Sequence, residues 1–394
     1  MSDYTALSKA AFPRSRKAPM CKDKAQNTSK IKLQNFAKRG IFFIFNAHFA
    51  LIILIFHFLS LAYLTATSTE PIFACTTKES TMYYESIKVL DCTIRDGGLV
   101  NKHDFSLEFV RRLYTLLSAA GIDYMEMGYK NSPELFDPKE YGPWKFCEDD
   151  LLWKVKDGID SKIKMAVMAD VGRVNMDAVK PASESPYQMF RVASYVKNID
   201  KGISMVNAFH DMGYETTLNI MAVSRDRGPE LDEALHQVQE ECKADVLYLV
   251  DSFGAFYQED IDKELARYKA IVKNKKFGFH GHNNQQLAFS NTIQAIINHV
   301  DYLDGSVSGM GRGAGNCTTE LLLSFLKNPK YDLRPVLDAI QELFLPLKEK
   351  YEWGYIIPQM ITGMLNRHPQ DAIAVRKTED KDKYRKFYER MIND

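Results

Sequence analysis

Eight short apolar or β-branched runs, each followed by a stretch of helical spacing, predict an α/β fold: a closed (β/α)8 TIM barrel over residues 83–328. Eight such units occupy about 250 residues, the length and period of that barrel. Polar residues also gather at the carboxyl ends of the runs, where a barrel collects its active site. A doubly wound open sheet alternates strands and helices too, but it does not bring eight strand ends into one ring.

In chain order the runs are IKVLDCTI (87–94), DYMEMGY (123–129), KMAVMAD (164–170), MFRVAS (189–194), TTLNIMAV (216–223), VLYLVDS (246–252), KFGFHGH (276–282) and YLDGSVSG (302–309). Arg95 and Asp96 follow the first, Glu126 lies in the second, Asp170 ends the third and Arg191 sits in the fourth. Asp251 and Ser252 close the sixth, and His280 and His282 the seventh. Between the first two runs, DFSLEFVRRLYTLLSAAG places Phe105, Phe109, Leu113, Leu116 and Leu117 on one helical face, with the first helix beginning near His103. The 130–163 connection is long for a βα loop and, with Tyr141, Trp144 and Phe146, is read as a lid over the barrel mouth. Residues 329–394 read as a short helical extension in which Tyr355 and His368 either pack a helical cap, the favoured reading, or face the site.

The front of the chain is of another kind. Residues 1–40, with ten Lys/Arg against two Asp, read as a basic, disordered tail, and residues 41–66 run 26 positions without Asp, Glu, Lys or Arg, enough for a membrane span. Residues 67–82 read as a linker. Two readings stay open: a genuine anchor, or a start placed too early, with Met82 as the working one. The first makes the protein membrane-anchored and the second cytoplasmic. Formal net charge is zero over 394 residues, so no global basic field exists to hold nucleic acid. Six scattered cysteines without a C-x-x-C pair fit a reduced compartment.

The chemistry concentrates in three stretches. In GFHGHNN, His280 and His282 stand at i and i+2, so on a strand both rings face the same way. That suits a metal ion, with a hydrogen-bonded pair of core histidines as the alternative. In DCTIRDGG, Asp96 is the best oxygen donor for a hard divalent cation, Mn²⁺ or Mg²⁺. Arg95 beside it suits a carboxylate or a developing enolate oxygen, or else pairs with Glu126, while Gly97 and Gly98 let the loop bend toward a ligand. In SGMGRGAGNCTTE (308–320), Gly313 and Gly315 make a flexible loop into a helix, and Asn316 reads as a metal-shell group or a helix cap.

Taken together, DCTIRDGG, the Glu of YMEMG, GFHGHNN and GMGRGAGN resemble the DRE-type TIM-barrel metallolyases, the pyruvate carboxyltransferase or hydroxymethylglutaryl-CoA lyase-like group. Within that group the 4-hydroxy-2-oxovalerate aldolases look most alike. The resemblance implies Asp96, His280 and His282 as metal ligands, Asn316 as a further ligand, Arg95 as the catalytic arginine and Glu126 as the acid that orients it. Arg191, Gly97, Gly313 and Gly315 are then expected at the substrate. Those aldolases carry a histidine four residues after the arginine, where this chain has Leu99. His103 is the nearest imidazole, and Tyr129, Lys130 and Tyr355 are further candidates for moving the proton. The implied activity is carbon–carbon cleavage or formation on a small 2-oxo acid through a pyruvate-type enolate; the sequence leaves the oligomeric state open, a homo-oligomer included. Two alternatives remain: a Claisen-type acyltransferase using acyl-CoA, and a non-catalytic, membrane-tethered metal-binding barrel.

Overall fold

A computed structural model describes residues 85–393. The basic tail, the 41–66 apolar segment and the linker lie outside the described residues. Among the described residues, no helix is long and apolar enough to cross a membrane.

Strands β1 (Lys88–Asp91), β2 (Tyr124–Tyr129), β3 (Lys164–Asp170), β4 (Met189–Tyr195), β5 (Glu215–Met221), β6 (Val246–Asp251), β7 (Lys276–Gly281) and β8 (Tyr302–Gly305) pair in parallel and in chain order. The last returns to the first, with Lys88 opposite Tyr302 and Asp91 opposite Gly305, so the sheet closes and has no edge. The eight runs in the sequence coincide with these strands.

Helices α1 (Thr93–Asn101) and α2 (Leu107–Ala119) follow β1, and α3 (Asp149–Lys156) follows β2. Then come α4 (Ile199–Asp211), α5 (Pro229–Glu241), α6 (Gln258–Ile271), α7 (Ala288–Ile297) and α8 (Thr319–Leu326), each after its own strand from β4 to β8. The β3–β4 connection departs from this alternation: it uses two short 3-10 turns, Met176–Ala178 and Ala182–Glu184. Pro181 and Pro186 lie there, and a proline inside a helix removes a donor and clashes with the preceding turn.

The strand period of two sorts the core. Val89, Met127, Val167, Val192, Leu249 and Phe279 face outward into the layer shared with the helices. Leu90, Tyr124, Met189, Tyr248 and Tyr302 turn inward and plug the barrel. Glu126, Arg191, His280 and Asp304 share the inward parity and are buried. The interior therefore carries a polar, charged layer toward the carboxyl ends of the strands.

Two expectations are corrected. The RDGG stretch is not a bent loop, because β1 stops at Asp91 and α1 begins at Thr93. Asp91 forces that early turn: its carboxylate accepts from the Thr93 amide at 3.1 Å and the Thr93 hydroxyl at 2.8 Å, and burial pushes its pKa up to about 7. No residue of the 130–163 connection lines the cavity at the mouth. Trp144 is fully buried, donating from Nε1 to the Phe105 carbonyl at 2.8 Å, and Phe146 is buried as well.

The extension is made of α9 (Leu333–Ala339), α10 (Leu345–Lys348), α11 (Ile357–Met364), α12 (Gln370–Val375) and α13 (Tyr384–Asn393); α9 packs against α2, and the α11 region lies at the mouth. Trp353 Nε1 donates to the Ser308 carbonyl at 3.0 Å, and Asn284 Nδ2 to the Gln359 carbonyl at 3.1 Å. Asn366 Nδ2 donates to the Ser224 carbonyl at 2.9 Å. These bonds join α11 and the segments beside it to loops at the carboxyl end of the barrel. Ile361, Ala372, Val375, Phe387 and Met391 give the extension a small core of its own.

Candidate active site

At the amino end of α1, Asp96 Oδ1 accepts from Arg95 Nη1 at 2.6 Å, and Oδ2 accepts from Asn316 Nδ2 at 2.8 Å and the Arg312 amide at 3.1 Å. Burial pushes the Asp96 carboxyl up; Arg95, His282, His280 and Arg312 more than reverse this and hold it well below the usual carboxylate range. Asp96 is thus an anion by virtue of its neighbours.

Behind it runs a buried ladder of alternating charge. Arg95 Nε donates to Glu126 Oε2 at 2.7 Å, and the same oxygen accepts from Arg191 Nη1 at 2.9 Å. Arg191 Nη2 reaches Asp304 Oδ2 at 2.6 Å, and that oxygen lies 2.8 Å from His280 Nδ1. A carboxylate on Nδ1 fixes the His280 tautomer and leaves Nε2 with the lone pair. His282 stands just beyond β7 with Nδ1 3.3 Å from the Gly315 carbonyl, and burial holds its pKa well below the usual imidazole value.

One donor atom each from Asp96, His280 and His282 lies within 4.8 Å of the others, all three residues buried. Asn316 adds a buried Oδ1 without a hydrogen-bond partner. A side chain at Gly311 would put its Cβ 2.5 Å from Asp96 Oδ2 and 2.3 Å from Asn316 Nδ2, so that approach is left to backbone alone. Two imidazoles with a carboxylate and an amide oxygen fit a divalent cation.

A cavity of ≈ 90 Å³ opens on this cluster, lined by Arg95, Asp96, His280 and His282 together with Leu99, Tyr129, Asp170, Asn219, Ser252, Arg312 and His368. It is far smaller than the ~300–1,000 Å³ of pockets for drug-sized ligands. Met168, Ala193, Met221, Val250 and Phe253 give it an apolar wall.

Several sequence-picked residues stand elsewhere. Arg191 is fully buried, bridges two carboxylates and is not among the residues that line the cavity. Gly97, Gly313 and Gly315 serve close packing: added Cβ atoms would lie 3.0 Å from Met310, 2.7 Å from the Gln359 side chain and 1.9 Å from the Gly309 carbonyl oxygen, respectively. Lys130 turns to Asp149 at 3.0 Å, Tyr355 is exposed, and neither lines the cavity. Tyr129 does line it. His103 lies past the end of α1 in a left-handed backbone conformation, buried and outside the cavity lining, with Nδ1 unpartnered. Burial, with Lys145 and Arg95 nearby, lowers its pKa to about 3. Two residues were passed over. Asp304 had a visible signal, an acid in an apolar strand at the inward parity, and Arg312 had only its charge within a glycine loop.

His103 also explains Gly98, whose added Cβ would lie 2.1 Å from His103 Nδ1. Helix propensity alone favours Gly98→Ala by about 1 kcal/mol. The contact reverses this, and Gly98→Ala is expected to destabilise by about 1–3 kcal/mol, the cost of overpacking. In urea unfolding, Gly98→Ala should cost less in a His103→Ala background; additive effects would show that the two do not collide.

The fold and the cluster define a TIM-barrel protein with an Asp-His-His centre at the barrel mouth. The chain belongs to the HMGL-like family, whose sequence model matches residues 86–343. The 4-hydroxy-2-oxovalerate aldolase of Thermus thermophilus is 30% identical over 263 residues, covering 66% of this chain and 75% of its own. That of Roseiflexus castenholzii is 30% identical over 265 residues, covering 66% and 77%. Among solved structures, the N-terminal domain of a putative aldolase from Bacteroides vulgatus superimposes with a TM-score of 0.64 at 30% identity, covering 75% of this chain and 98% of that one. Hydroxymethylglutaryl-CoA lyase from Pseudomonas aeruginosa shares the fold, with a TM-score of 0.56 at 19% identity over 67% of this chain and 94% of its own.

Proposed function

We propose that the chain is a divalent-metal-dependent aldolase that cleaves or forms a carbon–carbon bond in a small 4-hydroxy-2-oxo acid. The observation that carries this reading is the convergence of Asp96, His280, His282 and Arg95 on one cavity of ≈ 90 Å³. Asp96, His280 and His282, with Asn316, hold a cation, Mn²⁺ or Mg²⁺. When bound, it supplies Lewis acidity toward a 2-oxo group. Arg95 presents its guanidinium to the oxygen that gains charge as the enolate forms, and Glu126 fixes the direction of that guanidinium through Nε. Tyr129 and Asp170 are the cavity-lining groups near Arg95 that can carry a proton. Burial pushes the Tyr129 hydroxyl up, which suits it to give a proton rather than take one.

In cleavage, the proton leaves the 4-hydroxyl, the C3–C4 bond breaks to release an aldehyde, and the remaining enolate takes a proton at C3 to become a 2-oxo acid. The cavity's size and the aldolase relatives favour this over a Claisen reaction with a CoA thioester. Barrel and extension act as one catalytic unit, and any membrane attachment belongs to residues 41–66.

With Mn²⁺ or Mg²⁺ added, the protein should exchange the methyl protons of pyruvate with deuterated water and cleave 4-hydroxy-2-oxovalerate. Cation binding with neither exchange nor cleavage would leave the non-catalytic barrel. Free thiol from acetyl-CoA plus a 2-oxo acid, without aldehyde release, would establish the acyltransferase.

A further inference from the structure

Leu99 stands where the resembling aldolases place an imidazole, and it is 39% exposed on the cavity wall. Apart from His280 and His282, the cavity has one imidazole among its described lining residues, His368. It arrives from the extension, in the turn between α11 and α12. That turn is anchored. The Asn366 side chain exchanges two hydrogen bonds with Ser224, accepting from its hydroxyl at 2.7 Å and donating to its carbonyl at 2.9 Å. Gly363 packs so closely that an added Cβ would lie 2.6 Å from Asn284 Cβ and 3.1 Å from the Gly254 carbonyl oxygen. The His368 ring meets Phe253, another cavity residue, edge to face at 5.6 Å.

The His368 tautomer is legible. Its Nδ1 accepts from the Gln370 amide at 3.1 Å, so in the neutral ring the proton sits on Nε2, which is a donor and not a base. His368 is exposed, whereas Asp96, His280 and His282 are buried, so its ring belongs to the open side of the cavity lining. A 4-hydroxy-2-oxo acid with its 2-oxo end at the buried cluster extends its fourth carbon toward that side.

We propose that His368 is a catalytic residue, donating a hydrogen bond from Nε2–H to the oxygen on the carbon that becomes, or derives from, the aldehyde. This inference rests on the aldolase reading above. In condensation, the enolate carbon attacks the aldehyde carbon, the C3–C4 bond forms, and the carbonyl π pair moves onto oxygen. His368 stabilises the charge gathering there, and water at the rim supplies the proton that completes the hydroxyl. Cleavage is the reverse, with that proton leaving to water. A neutral ring suits this electrophilic role; burial and Arg312 lower the His368 pKa, Asp371 raises it and Arg225 lowers it.

The test separates the two halves of the reaction in the full chain loaded with Mn²⁺. His368→Phe should cut cleavage of 4-hydroxy-2-oxovalerate by ~10²-fold, the usual loss for one such donor, mainly in kcat. Exchange of the pyruvate methyl protons, which needs only the buried end of the cavity, should stay within about 2-fold of wild type. His368→Gln, which restores an N–H donor, should recover part of the loss. Unchanged cleavage in His368→Phe overturns the proposal, and so does an equal loss of cleavage and exchange, which marks a structural role. If the wild-type protein shows neither reaction, the aldolase reading itself falls and this inference with it.

Discussion

Asp96→Asn is expected to lose measurable Mn²⁺ binding and to slow aldol cleavage by ~10³-fold or more, several kcal/mol of transition-state stabilisation. Asp96 is the only anion in a ligand set whose other members are two imidazoles and an amide oxygen. Arg95 touches it at 2.6 Å, and the Arg312 guanidinium lines the same cavity. Neutralising the carboxyl leaves Arg95, still paired with Glu126, and the Arg312 guanidinium facing an incoming dication without the one anionic ligand. His282→Ala removes one donor but keeps the negative charge, so it should retain weak binding. Calorimetric titration with Mn²⁺ orders the two variants, and an Asp96→Asn protein that binds within about 3-fold of wild type would remove Asp96 from the ligand set. A fold artefact is distinguishable, because unfolding of the cation-free proteins reports stability separately.

The barrel and most of this centre were legible because both depend on short-range periodicity. Strands of period two put His280 and His282 on one side and Glu126 inside the ring, and no tertiary information is needed to see that. The misreadings have equally physical causes. Gly97 and Gly98 read as a bend because glycine usually marks one, yet here they lie within α1, where neighbouring side chains press against the helix. The aromatic residues of the 130–163 connection look alike whether they cover a cavity or bury themselves, and Trp144 found its partner in the Phe105 carbonyl. His368 joins a cavity made by residues that stand 56 to 273 positions earlier in the chain, through loops whose spacing carries no period at all.

Arg191→Met is expected to destabilise the protein by about 3–5 kcal/mol at neutral pH, the cost of removing one partner from a buried ion pair. The guanidinium is fully buried and bridges Glu126 at 2.9 Å and Asp304 at 2.6 Å, over the ring of Tyr248. Without it Glu126 keeps Arg95, but Asp304 keeps only His280. Arg191→Lys should recover part of the loss, since an ammonium is a point charge and does not span two carboxylates as a planar fork does. The effect has a pH signature. In the wild type, burial pushes the Asp304 carboxyl up, and Arg191 with His280 more than offsets this, holding it below the ordinary value. That contribution is present above the unfolded pKa of ~3.9 and is lost as pH falls through the folded one. In Arg191→Met the order inverts: burial raises the folded pKa above ~3.9, the native state binds the extra proton, and stability recovers as pH drops through that raised value. Urea unfolding at pH 7.5 and pH 5 should therefore show the deficit shrinking on acidification, and a deficit that stays constant or grows would mean that Arg191 does not neutralise Asp304. The same ladder reaches Arg95 through Glu126, so loss of Arg191 frees the Glu126 carboxylate to shift and loosens the guanidinium at the cavity. A fall in kcat with cation affinity unchanged is the expected kinetic consequence, the reverse of the Asp96→Asn pattern in which binding fails first.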